Sequence, residues 1–377
     1  MRLPWPARAA TSALFLINGL GIGAWASSVA PLQARLSLSP AALSLALLAM
    51  AAGAIVTMPL AGLLAEKLGG TGRSTTFASL LYPFVLAAPG LAPNLAALVA
   101  ATFAFGCVNG LMDVSMNAHA TAVERRWSGA IMSSFHAAWS GGGILGAALG
   151  GAMLHAGFAP SVLLPAAAAL SLAANACAVR WLGAGDASAA GPAYRWPDAR
   201  LIGFALIALL GMMSEGAMID WSALYLTLIA GAPADLAAGG YAVFVGAMLA
   251  GRLIGDAVVR RIGRGRVIVL GAALATLGVG IAIAWPAPGV ILTGYALMGI
   301  GLANLVPAVF SESAARSASP AVGIGMAATV GYAGLLMGPA LIGAVASLAS
   351  LRAGFLLLAA ALLAIMPVAR RAGRAPN

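Results

Sequence analysis

The sequence predicts an all-α integral membrane protein with twelve transmembrane helices in two pseudo-symmetric six-helix bundles, and three observations lead there. Of the 377 residues, 62% are hydrophobic and 8% charged, with a mean hydropathy of +0.99, more apolar surface than one soluble core of this length can bury. The apolar residues gather into stretches long enough to cross a hydrocarbon layer of about 30 Å. The twenty basic residues fall almost entirely in every second gap between those stretches, which is the signature of a membrane topology.

The spans are expected near 10–32, 41–65, 75–91, 94–122, 129–155, 160–182, 200–229, 236–259, 267–285, 288–310, 321–347 and 350–369. Each is apolar all round, and internal Gly and Pro are frequent. No ten-residue alternation is present, so helices that satisfy their own backbone in lipid are favoured over a barrel. Arg2 and Arg8 precede span 1. Lys67 and Arg73, Arg125 and Arg126, Arg180, Arg195 and Arg200, Arg260, Arg261, Arg264 and Arg266, then Arg316 occupy alternate gaps. Arg370, Arg371 and Arg374 close the chain, while the opposite gaps hold only Arg35 and Arg352. The positive-inside rule puts both termini in the cytoplasm. With Lys67 the only lysine among the twenty basic residues, the composition suggests a GC-rich bacterial genome, hence an inner membrane. Trp127, Trp181 and Trp285 lie at span ends, where an indole suits the interface.

Several function classes drop out. A net charge of +10 spread over separate span flanks, with no basic stripe interleaved with aromatics, does not describe a nucleic-acid binder. The apolar run after Arg2 and Arg8 resembles a signal peptide, but eleven further spans argue against cleavage. Cys107 and Cys177 lie inside spans, and three histidines offer no metal-ligand spacing. Lys67 is followed by Leu68, so the chain carries no phosphate-binding loop and does not drive transport with ATP. Gly141, Gly143 and Gly146 spell GxGxxG but follow no strand; Gly142, Gly146 and Gly150 recur every four residues and suit close helix packing. The expectation is a monomeric protein that is not an enzyme, with no cofactor and no metal, whose partners are a small solute, protons and the bilayer.

An internal repeat supports two halves. Gly62 corresponds to Gly255, and Phe105-Gly106 to Met298-Gly299, both pairs at one common offset, with Trp25 and Trp221 at a similar one. Residues 183–199, rich in Gly, Ala, Ser and Pro, form the natural cytoplasmic joint between an N-terminal bundle at 1–182 and a C-terminal bundle at 200–377.

Two segments then carry a resemblance. Gly62-Leu-Leu-Ala-Glu66-Lys67-Leu-Gly69 with Arg73 resembles the loop signature of the major facilitator superfamily, with Glu for Asp, Lys for Arg and a delayed last arginine. Gly255-Asp256 with Arg260, Arg261, Gly263 and Arg264 keeps the residue types at wider spacing. Asp113-Val-Ser-Met-Asn117, Ser134-Phe-His136-Ala-Ala-Trp139-Ser140 and Glu215-Gly216 with Asp220-Trp221 are similar to the MosC-like (YbjJ-like) bacterial subgroup, named for a proposed role in taking up an inositol-derived compound. The resemblance implies the major facilitator fold, a secondary transporter, and a cytoplasmic gate at the two loop signatures.

The residues point to a site independently. Asp113 lies about 18 Å along its helix from Arg125, near the membrane midplane. Asn109, Asp113, Asn117 and Thr121 recur at i, i+4, a polar face tolerable in lipid only toward the bundle interior or a water-filled cavity. Helix–helix hydrogen bonding is the alternative use of such a face. His136, with Ser133 and Ser140, supplies a facing surface on span 5. Glu215 lies about 22 Å from Arg200 along span 7, and Asp220 about 30 Å, so Glu215 is the deeper acid. Asn18 and Trp25 occupy the comparable face of span 1. The site residues are therefore expected among Asn18, Asn109, Asp113, Asn117, His136, Trp139, Glu215, Asp220 and Trp221. Burial disfavours a carboxylate's charge, which makes Asp113 or Glu215 the expected proton carrier.

In span 8, Arg252 and Asp256 share a face at i, i+4, either as a solvated ion pair or, by the resemblance, as part of the gate. The function expected is proton-coupled, alternating-access transport of a small polar solute, sugar-like or polyol-like. Two alternatives stand beside it. One is a drug or metabolite efflux antiporter, suggested by Met112, Met116, Met212, Met213 and Met218 as cavity lining. The other is a non-transporting sensor on a transporter scaffold.

Overall fold

The computed structural model describes residues 5–183, 199–317 and 319–372. Most of the expected 183–199 joint, with Arg2, Arg195 and Arg374, lies outside the described residues. Fourteen α-helices are present among the described residues. They are α1 (Trp5–Arg35), α2 (Pro40–Thr57), α3 (Ala61–Leu68), α4 (Thr71–Leu91), α5 (Leu95–Arg125), α6 (Met132–His155) and α7 (Pro160–Ala178), then α8 (Ala199–Ala230), α9 (Ala234–Ile262), α10 (Arg264–Ala284), α11 (Pro288–Leu302), α12 (Leu305–Arg316), α13 (Pro320–Leu348) and α14 (Leu351–Ala372). They form twelve helical spans long and apolar enough to cross a membrane.

Local chemistry sets the boundaries. Proline opens α2, α7, α11 and α13, where its fixed φ is already helical and no N–H is needed. Asn94 caps α5 by accepting from the Ala97 N–H at 3.0 Å, and Ser39 and Ser350 do the same for Ala42 and Ala353. Span 2 is interrupted by a 3-10 turn at Met58–Leu60, where Pro59 withholds a helical donor. Span 10 is likewise two helices, α11 and α12, with the break at Ala303 and Asn304. Several observed spans extend the expected ones by a few residues, to Trp5 at the start of span 1 and Arg316 at the end of span 10, because the helix continues into polar residues that the hydropathy signal omits.

The chain forms two compact units. One gathers Met1–Ile131, Phe135–Arg195 and Ala318–Gly325; the other gathers Met132–Ser134, Trp196–Ser317 and Met326–Asn377. In the first, α5 packs against α2 and α4, and α7 against α1 and α4. In the second, α11 packs against α9 and α10, and α14 against α8 and α10.

Glycine permits these crossings. A Cβ on Gly106 of span 4 would run into the Met50 carbonyl of span 2, and one on Gly299 of span 10 into the Phe244 carbonyl of span 8. Spans 1 and 5 approach each other at four glycines: a Cβ on Gly142 or Gly146 would strike the carbonyl of Leu16 or Leu20, and one on Gly19 or Gly23 that of Trp139 or Gly143. The same contact recurs between spans 7 and 11, where Gly334 and Gly338 meet the carbonyls of Leu209 and Met213, and Gly216 meets that of Leu335. Small residues letting backbones touch is how helices associate when lipid removes the hydrophobic drive.

Large apolar side chains such as Phe84, Leu228 and Leu253 are exposed, as a lipid-facing surface requires. Trp181 and Trp285 are exposed at span ends. Trp127 instead packs edge-on to Trp5 with ring centroids 4.7 Å apart, and the Arg8 guanidinium sits 4.4 Å from its ring centroid, a cation–π contact. Arg35, one of the two arginines that break the alternation of basic gaps, donates from Nη1 to the Gly90 carbonyl at 2.6 Å and from Nη2 to the Ala92 carbonyl at 2.7 Å. It therefore caps the carbonyl end of α4, where a cation is favoured by the helix dipole.

Candidate functional site

Spans 1, 3, 4 and 5 bring a polar set together inside the first unit. Asn18 on α1 is buried and saturated. Its Nδ2 donates to Asn109 Oδ1 at 3.0 Å and to the Met112 sulfur at 3.6 Å. Its Oδ1 accepts from the Trp139 indole N–H at 2.9 Å, and its backbone carbonyl accepts from the Tyr82 hydroxyl at 3.1 Å. With every polar atom of its side chain engaged, Asn18 holds Asn109 and Trp139 in place.

About two turns beyond Asn109 on α5, Asn117 joins an acid to an imidazole. Its Nδ2 donates to the Asp113 backbone carbonyl at 2.8 Å and to the Asp113 carboxylate Oδ1 at 3.2 Å. Its Oδ1 faces His136 Nε2 at 3.2 Å. An amide oxygen only accepts, so His136 carries a proton on Nε2 in this arrangement. The Phe15 ring lies edge-on to the imidazole with centroids 5.5 Å apart. The series Asn109, Asp113, Asn117 and Thr121 thus splits by role: the first three enter the cluster, whereas the Thr121 hydroxyl returns to the Asn117 backbone carbonyl at 2.9 Å. Asp113 and Trp139 are half-buried, while Asn18, Asn109, Asn117 and His136 are buried. Within the cluster the half-buried pair keeps accessible surface, and the buried four pack around it.

Inside the second unit, Glu215 is half-buried and Asp220 exposed, both on α8. The Tyr241 hydroxyl on α9 lies within electrostatic reach of Glu215, Arg252 and Asp220, and the Arg252 guanidinium within reach of Glu215 and Tyr241. Trp221 donates from its indole N–H to the Pro339 carbonyl at 3.0 Å and lays its ring against Gly343, so one edge of it is fixed to α13. Arg252 and Asp256, for which a solvated ion pair is one of two readings, are buried at 5% and 8% exposure, and Arg252 Nε donates to the Ala303 carbonyl of span 10 at 3.2 Å.

The two loop signatures end their preceding helices alike. Both stop on a glycine of positive φ, Gly69 closing α3 in the left-handed helical region at φ +75° and Gly263 closing α9 at φ +82° with an extended ψ of 154°, conformations that a Cβ disfavours. Gly62 and Gly255 are buried, Glu66, Lys67, Arg73, Arg260 and Arg261 exposed, and Arg264 half-buried. Arg73 reaches the Leu68 carbonyl at 3.4 Å. The sequence did not single out Tyr82, Phe15, Tyr241, Asn304 or Pro307. Asn304 and Pro307, one helical turn apart in an otherwise apolar span, were the available signal. The five methionines proposed as cavity lining are buried, and Met212 packs its sulfur against Gly331, which makes them packing material.

No group of three or more metal-ligating side chains occurs among the described residues. Residues 11–334 match the family described as the Major Facilitator Superfamily. An uncharacterized MFS-type transporter of Yersinia pestis is 36% identical over 372 residues, covering 97% of this chain and 95% of that protein. The membrane protein MosC of Rhizobium meliloti is 34% identical over 342 residues, covering 88% and 82%. Among solved structures, the transporter FucP in its outward conformation superposes with a TM-score of 0.81 at 15% identity, covering 99% of this chain and 100% of that one. A bacterial homologue of the iron transporter ferroportin in an outward-facing state gives 0.80 at 14% identity, covering 99% of each.

Proposed function

The chain belongs to the Major Facilitator Superfamily as a multi-pass membrane transporter, and on that premise we propose that it moves a small neutral polyhydroxylated solute by alternating access, coupled to protons. The observation that carries the proposal is the Asp113–Asn117–His136 chain. It places a carboxyl and an imidazole in one hydrogen-bonded line within the membrane-spanning part of the first half, where ionisable groups serve pathways and relays. Amide, indole and carboxyl groups beside aromatic faces suit hydroxyl-rich ligands, with Asp113 and Trp139 as the contacts. The named activity of one fold neighbour, a fucose:proton symporter, accords with this, although its likeness extends to the fold alone.

In this reading Asn18, Asn109 and Asn117 hold the contacts, Glu215, Asp220 and Trp221 serve the second half, and the two loop signatures, Gly62 to Arg73 and Gly255 to Arg264, form the cytoplasmic gate. The chain divides at 183–199 between bundles at 1–182 and 200–377, acts as a monomer in the bacterial inner membrane, and keeps both termini in the cytoplasm.

A thermal-stability screen of the purified protein against sugars, polyols, amino acids and drugs identifies the solute, because a ligand of the folded state raises the apparent Tm. Proteoliposomes loaded against a pH gradient then test coupling. Asp113→Asn is expected to abolish uphill accumulation of the stabilising solute. Undiminished accumulation removes Asp113 from the mechanism, and stabilisation by amphipathic drugs alone favours efflux.

A further inference from the structure

Span 10 is cut where span 8 crosses it. Pro307 has no N–H, so the carbonyl of Ala303, four residues earlier, loses its helical donor. Arg252 supplies the replacement through Nε at 3.2 Å. One residue further on, Asn304 Nδ2 donates to the Gly251 carbonyl at 3.0 Å. The exchange is reciprocal: a side chain of α9 holds the backbone at the break, and a side chain at the break holds the backbone of α9.

Close approach is required for both bonds, and Gly251-x-x-x-Gly255 provides it. A Cβ on Gly251 would come within 2.6 Å of the Ala303 Cβ, and one on Gly255 would collide with Asn304 Oδ1. Arg252 and Asn304 are 5% and 8% exposed, so neither bond is in competition with bulk water. A guanidinium this deep is costly unless its donors are directed. The freed carbonyl takes one donor, which fixes the plane of the fork while the cation lies within electrostatic reach of Glu215 and Tyr241.

We infer that Pro307 and Asn304 are positioning residues that hold the Arg252 guanidinium at the break in span 10, where Arg252 in turn serves the polar site of the second half. This function for Arg252 rests on the transporter reading above; the positioning itself can be tested without any solute. The full-length protein, labelled with 15N-arginine and placed in lipid nanodiscs, gives side-chain Nε–H signals, and the Arg252 signal is assigned by its loss in Arg252→Lys. In the native protein this Nε–H is expected to exchange slowly with solvent. Pro307→Ala restores the N–H that recaptures the Ala303 carbonyl, and exchange at Arg252 is expected to accelerate by about tenfold or more. Asn304→Ala, which releases Gly251, is expected to do the same to a smaller degree, and it serves if Pro307→Ala does not fold. Exchange at Arg252 within about twofold of native in either variant that retains the native Tm overturns the inference. Accelerated exchange with unaltered transport would instead remove Arg252 from any role in transport and leave the positioning intact.

Discussion

Asn117 is the hydrogen-bonded link between Asp113 and His136. Its amide donates to the carboxylate and accepts from the imidazole, so Asn117→Ala should uncouple the pair while leaving both titratable groups present. Proton-driven uptake is expected to fall about as far as in Asp113→Asn, with facilitated exchange of solute retained. Loss of exchange as well would place Asn117 in solute binding. Asn18 behaves differently, because its side chain is saturated. Asn18→Ala strands the Trp139 indole and the Asn109 amide oxygen, and about 1–2 kcal/mol of stability should be lost in a reversible unfolding measurement in mild detergent. The i, i+4 spacing of Asn109, Asp113 and Asn117 was legible because an apolar span makes polar residues conspicuous. The roles were not, since sequence spacing cannot distinguish a saturated amide from a half-buried one.

At the scale of elements, the exceptions to a pattern are the informative positions. Arg35 breaks the charge asymmetry that orients the chain, and the structure supplies its use: two hydrogen bonds to the carbonyl end of α4. Arg35→Ala is expected to cost about 1–2 kcal/mol, whereas Arg180→Ala, exposed on the other side, should change little. Thermal unfolding of the two variants side by side measures the difference. The helix ends themselves were visible in Pro40, Asn94, Pro160, Gly69 and Gly263, residues whose backbone chemistry dictates a start or a stop. The breaks in spans 2 and 10 were hidden, because hydropathy stays high through Met58–Leu60 and Ala303. Only Pro59 and Pro307 marked them, and a proline in a membrane helix is too common to be decisive.

For the whole molecule, topology is the quantity that the basic residues predict. A reporter active only in the cytoplasm, fused after Leu182, should be active, and one fused after Gly157 inactive. The reverse pattern would invert the orientation assigned here. The twelve spans were legible because about 20 apolar residues are needed to cross lipid and few other constraints give that length. The repeat was legible at a few positions, its glycines foremost. Gly106 and Gly299 share a common offset in the chain and occupy matching crossings, of span 4 on span 2 and of span 10 on span 8.

The glycine contacts of spans 1 and 5 have a mechanical consequence. Where a backbone rests on a backbone, through Gly19, Gly23, Gly142 and Gly146, no flexible side chain is available to re-pack, and sliding by a fraction of a turn would drive carbonyls into one another. These two helices are therefore geared together, and motion during a transport cycle must be taken up elsewhere. Spin labels on the lipid-facing residues Ala26 and Leu145 should report one unchanging distance with and without solute. A distribution that splits in two would show that this contact slips.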